Sequence, residues 1–205
     1  MKNKIETIIF DLGGVLIDWN PRYLYRQLFQ DEKEMEYFLA NVCTMEWNME
    51  QDAGRTWADA IALLTPHFPH YQSQIEAYWS RWPEMLNGEI SGTVQILESL
   101  FQANQHRLYA LTNWSAETFP FAQAQFAFLQ HFKGILVSGE EKLKKPDLAI
   151  YHLLLNRYHI NPATAIFIDD SKANVAAAKQ VGIRAIHFQR PEQLKADLIA
   201  LGIEV

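Results

Sequence analysis

Cysteine is almost missing from this chain: Cys43 stands alone among 205 residues. That excludes an intramolecular disulfide framework and any Cys-x-x-Cys metal or redox pair. Positive charge is scarce too, with 18 Lys plus Arg against 24 Asp plus Glu and a formal net charge of -6. A nucleic-acid binder ordinarily presents a basic face, so no nucleic-acid partner is expected. Long apolar runs are also lacking. None approaches the ~20 residues of a membrane span, and the run Ile8-Ile9-Phe10 behind Lys2 and Lys4 stops at Asp11, too soon for a secretory signal. A cytoplasmic protein with no membrane partner is the expectation. Repeats and low-complexity linkers are missing as well.

What is present is a hydrophobic fraction of 49% with only 20% charged residues, enough to bury a substantial core and to argue against disorder or a coiled coil. Short apolar runs end abruptly in polar residues. Ile5 to Phe10 runs into Asp11-Leu12-Gly13-Gly14, Leu108 to Leu111 into Thr112-Asn113, Ile135 to Val137 into Ser138-Gly139, and Ala165 to Ile168 into Asp169-Asp170-Ser171. Ala185 to Phe188 supplies a fifth run. Such runs read as buried strands entering loops.

Helical patterns separate them. Val94, Leu97, Leu100 and Phe101 share one face, as do Ile150, Leu153, Leu154 and Tyr158, and Ser171 is placed to cap an Ala-rich helix that Gly182 closes. Alternating strands and helices predict an α/β fold with a parallel sheet covered on both faces. Ligands bind such sheets at the carboxyl ends of the strands, where the polar residues collect here.

Residues 19–87 interrupt the alternation. Tyr23 to Phe29, Met35 to Val42, Trp57 to Leu64 and Ile75 to Trp82 carry helical patterns, with no evident strand between them. This segment reads as a helical insertion holding five of the six tryptophans. Those aromatics serve either as the core of a small subdomain or as an apolar lid over the sheet edge.

The strand ends carry the chemistry. Asp11, followed by glycines that let a ligand approach the backbone, sits where a carboxylate nucleophile belongs; a turn or cap aspartate is the plainer reading. Asp169-Asp170 places two repelling carboxylates together, a costly arrangement without a cation or donors. Asp11 with Asp170 suits magnesium, which takes a few carboxylate oxygens together with waters and a phosphate. Thr112-Asn113 offers a hydroxyl and an amide to phosphate oxygens, and Lys145 before Pro146 offers a cation. Alone, each is an ordinary turn or solvated face; four polar sites at equivalent strand ends are harder to dismiss.

Ile8 to Leu16, Leu111-Thr112-Asn113, Lys145-Pro146 and Phe167 to Asn174 resemble, in order and spacing, the four motifs of the haloacid dehalogenase (HAD) superfamily. The insertion is similar to the cap of the branch containing sugar-phosphate phosphatases and dehalogenases. The resemblance implies a Rossmann-like, HAD-like core over residues 1–18 and 88–205, with a helical cap domain over 19–87. It implies Asp11 as nucleophile and Mg2+ held by Asp11, the Gly13 backbone carbonyl and Asp170. Thr112, Asn113 and Lys145 would surround the phosphate, with Lys145 also catalytic, and Asp169 and Asn174 would support the metal or add a ligand. The expected activity is magnesium-dependent hydrolysis of a small phosphorylated metabolite, such as a sugar phosphate, through an aspartyl phosphate, by a monomer or homodimer.

One departure stands out. Most phosphatases of this superfamily have a second aspartate two residues after the nucleophile as general acid and base, worth ~10²–10⁴-fold in rate; here the position is Gly13. Bacterial glucose-1-phosphate phosphatases, which the chain resembles, share the glycine. Asp18, Glu46, Glu50 and His67 are candidate substitutes. A 2-haloacid dehalogenase is the first alternative, weakened by the acidic pair and by the lack of a halide-binding arginine near residues 41–43. A non-catalytic protein on the same fold is the second.

Overall fold

The computed structural model describes residues 4–205, so Lys2 lies outside the described residues. Five parallel strands, β1 (Thr7–Phe10), β4 (Arg107–Thr112), β5 (Ile135–Val137), β6 (Ala165–Asp169) and β7 (Arg184–His187), form a sheet in the order β5-β4-β1-β6-β7. Two further strands, β2 (Ile17–Trp19) and β3 (Leu86–Glu89), pair antiparallel beside it. The helices, in chain order, are α1 (Arg22–Leu28), α2 (Glu32–Asn41), α3 (Met45–Asp52), α4 (Trp57–Leu64), α5 (Gln72–Ser80), α6 (Ser91–Ala103), α7 (Phe119–Gln125), α8 (Ser138–Glu141), α9 (Leu148–Arg157), α10 (Lys172–Gln180) and α11 (Pro191–Ala200).

Strand alternation divides the interior. Ile8 and Phe10 point into one apolar cluster, shared with Leu97 and Leu100 of α6 and Leu194 and Leu198 of α11. Ile9, between them, enters the other, with Ile150 and Leu154 of α9 and Ala177 and Ala178 of α10. A strand buried on both faces needs apolar residues at every position, which is why β1 reads as a continuous run. Ser171 caps α10 by accepting the Asn174 N–H, and Gly182 follows that helix at φ +86°, as the sequence predicts.

Helices α1 to α5 occupy the stretch between β2 and β3, with the Ile17–Glu89 and Trp19–Leu86 pairs at its entry and exit. This ribbon corrects the strandless reading of that stretch. Leu86-Asn87-Gly88-Glu89 lacks β-branched residues and is only half-buried, so neither propensity nor alternation marks it. Helix α3 also lacks an apolar stripe and was not expected. The aromatics Tyr25, Phe38, Trp57, Tyr71 and Tyr78 pack the inside of the helical stretch, with Trp57 and Tyr78 stacked at 5.3 Å. Among the described residues, no helix is long and apolar enough to cross a membrane.

β1 pairs with β4 on one side and β6 on the other, while their following connections run in opposite directions. The β1–β6 seam is therefore the switch point of the sheet, where such folds open a crevice. The last pair across it is Phe10–Ile168, and one step further the chain reaches Asp11 and Asp169 side by side.

Candidate active site

Asp11 and Asp169 leave adjacent strands in register, and the Asp11 N–H donates to the Ile168 carbonyl at 2.8 Å. Lys145 bridges the two carboxylates: its Nζ lies 2.8 Å from Asp11 Oδ2 and 2.7 Å from Asp169 Oδ2. The third ammonium proton goes to the Leu111 carbonyl at 3.0 Å, so this buried lysine has a partner for every donor. Asp11 Oδ1 accepts the Leu12 N–H at 2.7 Å.

Asp169 is fully enclosed. It accepts from the Ser171 N–H at 2.8 Å and from Asn174 Nδ2 at 3.0 and 3.1 Å. Burial works against its charge, but Lys145 and the Ser171 amide outweigh burial and hold its pKa below the ordinary value. Burial likewise opposes the Lys145 charge, and Asp11 with Asp169 more than restores it. For Asp11, burial dominates: with repulsion from Asp169 and Asp170 it pushes the carboxyl well above its usual range, against the pull of Lys145.

Asp170 points elsewhere. It is exposed, and its carboxylate lies so near Gly14 that a Cβ there would stand 2.5 Å from Asp170 Oδ2. Gly14 also holds φ +72°, so a glycine is required twice over. Oxygens of Asp11, Asp169 and Asp170 come within 4.8 Å of one another. One ammonium among three carboxylates leaves a net negative site, and the hard oxygen donors suit a hard divalent cation. No backbone N–H among the described residues donates to the Gly13 carbonyl, which leaves it available as a further oxygen ligand.

The predicted phosphate donors divide. Asn113 spends its side-chain amide on Lys145, accepting its N–H at 2.8 Å and donating to its carbonyl at 3.0 Å. Thr112 is fully buried, with a hydroxyl that has no partner.

Above these residues opens a cavity of about 550 Å³. Asp11, Gly13, Gly14, Asn113, Lys145, Asp170 and Asn174 line it from the sheet, and Met45, Asn48, Met49, Asp52, Trp57 and Trp82 from the helical stretch. Trp19 and Trp114 complete an aromatic wall. The helical stretch is tied down at several points. Trp57 donates its main-chain N–H to Glu117 at 2.7 Å and its indole N–H to Ser115 at 3.2 Å. Lys144 pairs with Glu50 at 2.8 Å.

None of the candidate acid/base substitutes lines this cavity. Asp18 is held by the Tyr23 hydroxyl at 2.8 Å and Asn87 at 3.0 Å, and Glu50 by Lys144. Glu46 and His67 are exposed. Asp52, which the sequence reading passed over, does line it. The residues alone carry no signal for it, because the helix that ends at Asp52 has no apolar stripe to mark it.

The family model for haloacid dehalogenase-like hydrolases matches residues 8–188. The chain belongs to that family. It is 27% identical to a sesquiterpene phosphatase from Aspergillus oryzae, over 92% of both chains. It is 24% identical to a phosphorylated carbohydrates phosphatase from Thermotoga maritima, over 89% of this chain and 84% of the relative. A HAD family enzyme from Bacteroides thetaiotaomicron, solved with magnesium and inorganic phosphate, superposes with a TM-score of 0.68 at 23% identity, over 91% of this chain and 95% of that one. The family model and the solved structure thus agree on a HAD-like hydrolase fold.

Proposed function

We propose that this HAD-like hydrolase is a magnesium-dependent phosphomonoesterase acting on a small phosphorylated metabolite, with residues 19–87 as its cap. The observation that carries the reading is the bridge from Lys145 to Asp11 and Asp169, with Asp170 left facing the cavity beside Gly14. Asp11 Oδ2 attacks phosphorus and the ester oxygen leaves; water then attacks the aspartyl phosphate, freeing Asp11 and inorganic phosphate. Lys145 holds Asp11 in place and meets the negative charge of the phosphoryl group. Asp11, Asp170 and the Gly13 carbonyl would hold magnesium, while Asp169, itself held by Asn174, braces Lys145 from behind. Bound there, the ion neutralises the acidic pair and the phosphoryl oxygens. Asn113 shapes the phosphate pocket through its grip on Lys145, whereas Thr112 is fully buried behind the strand end.

The wall of Trp19, Trp57, Trp82 and Trp114 with Met45 and Met49 supports a leaving group with a broad apolar face, whether a prenyl chain or the carbon face of a sugar. A dehalogenase is disfavoured because no arginine lines the cavity: Arg22 pairs with Glu36, and Arg55 is bound to Gln51 and the Trp47 carbonyl. The test is phosphate release from sugar phosphates, nucleoside monophosphates, prenyl phosphates and a nitrophenyl ester, with and without magnesium, beside Asp11→Asn. Magnesium-dependent release that Asp11→Asn abolishes is expected. Metal-independent halide release from 2-haloacids overturns the reading, and magnesium binding without turnover of any ester assigns the chain a non-catalytic role.

A further inference from the structure

Gly13 leaves the site without the carboxyl that would protonate the departing oxygen, and the space beside Asp11 is open: a Cβ built on Gly13 meets nothing within 4 Å. Crowding therefore does not explain the glycine. A proton donor for an alkoxide must come from the cavity's other wall, because the leaving oxygen lies opposite Asp11 across phosphorus.

That wall holds one carboxyl. Asp52 is the last residue of α3 and lines the cavity together with Asp11 and Lys145. Its neighbours in the same wall, Asn48, Met49 and Trp57, carry no acid. The structural claim on it is slight: the Ser115 main-chain N–H faces its carboxylate. It makes no side-chain ion pair, whereas Glu50, two residues earlier, takes Lys144. It also sits at the negative end of its helix dipole, where an anion is disfavoured. A carboxyl held out of water in a cleft, within reach of Lys144 and Lys145, is a candidate functional group.

We propose that Asp52 is the general acid and base of this enzyme, delivered by the cap in place of the side chain missing at Gly13. The proposal rests on the phosphomonoesterase reading above. In the first step the Asp11–phosphorus bond forms as the phosphorus–oxygen ester bond breaks, and the Asp52 proton passes to the leaving oxygen, releasing an alcohol. In the second, the Asp52 carboxylate takes a proton from the attacking water as its oxygen bonds to phosphorus. Inorganic phosphate departs, Asp11 recovers its carboxylate, and Asp52 is protonated again. The environment fits both states. Burial raises the Asp52 pKa to about 7, while Lys144, Lys145 and the Ser115 main-chain N–H keep its anion accessible. Tyr78 also faces it: burial first, then Cys43 and Asp52, push the Tyr78 hydroxyl well above its usual range. An acid poised near neutrality serves both half-reactions.

The helix that bears it is tied to the Lys145 loop through Lys144, which fixes Asp52 over the cavity.

The test compares two esters of similar shape, 2-phenylethyl phosphate and nitrophenyl phosphate, in the magnesium-loaded enzyme. The phenylethyl alkoxide needs a proton to leave, whereas nitrophenolate leaves without one. Asp52→Asn is expected to lower kcat/KM, which reports the first half-reaction alone, by about 10²–10⁴-fold for the phenylethyl ester and by less than about tenfold for the nitrophenyl ester, while kcat falls for both through the shared second half-reaction. The wild-type enzyme should lose kcat/KM for the phenylethyl ester as pH rises through about 7, with no matching limb for the nitrophenyl ester, a readout that needs no variant to fold. Equal losses of kcat/KM on both esters, or no loss on either, overturn the assignment. If the wild-type enzyme releases phosphate from neither these esters nor the wider panel, the phosphomonoesterase reading itself has failed.

Discussion

Asn113 grips Lys145 by both main-chain groups, with Oδ1 accepting its N–H at 2.8 Å and Nδ2 donating to its carbonyl at 3.0 Å. The two residues come from different loops, so this clamp sets where the only ammonium of the site stands. Asn113→Ala should lower kcat on the order of 10²-fold by misplacing Lys145 while KM changes little. Steady-state kinetics on the nitrophenyl ester separate this from direct phosphate binding, for which KM would rise instead.

Lys145 is buried and compensates two carboxylates. Lys145→Met leaves Asp11 and Asp169 facing each other uncompensated, so a stability loss of about 3–5 kcal/mol is expected, along with loss of turnover. Urea unfolding of the variant and the parent protein in chelator measures the first, and phosphate release the second.

Gly14→Ala places a methyl group 2.5 Å from Asp170 Oδ2 on a backbone with φ +72°. Displacing Asp170 should weaken magnesium binding by about 10–100-fold, the size seen when supporting groups of a metal site are disturbed. Titration calorimetry with magnesium alone reads this directly.

Gly13→Asp should fold normally, because its Cβ enters open space. Placed in the Asp52→Asn background, it is expected to recover at least about tenfold of the lost phenylethyl phosphate turnover by supplying a carboxyl from the sheet side. Comparing kcat of the single and double variants measures the recovery.

The raised pKa of Asp52 also has a stability consequence. A carboxyl whose folded pKa lies above its unfolded value favours folding below the unfolded pKa, and that contribution fades as pH rises through the folded one. For Asp52 the window runs from about 4 to about 7. Asp52→Asn should therefore gain stability relative to the parent protein across that interval and level off above it. Urea unfolding of both proteins in chelator, at steps from pH 4 to pH 8, checks the trend; a constant difference would contradict it.

Much of the molecule was legible in the residues alone. Four of the five core strands show as apolar runs ending in polar residues, because a strand buried on both faces has no freedom to alternate, and the fifth follows from Ala185 to Phe188. The motifs at Asp11, Thr112, Lys145 and Asp169 were visible for a related reason, since the sheet delivers its strand ends to one edge. The sequence did not show β3 or α3, whose residues have neither the composition nor the periodicity of buried elements. Nor did it assign duties within the motifs. Only packing decided that Asp169 turns inward onto Lys145 while Asp170 faces the cavity, and that Asn113 serves the Lys145 backbone. Asp52 could not be picked from the sequence either, because its role depends on which helical turn of the insertion lies over Asp11. Strand character is local and written in neighbouring residues; the meeting of Asp11, Lys145 and Asp52, brought together from three separated segments, is decided by tertiary packing.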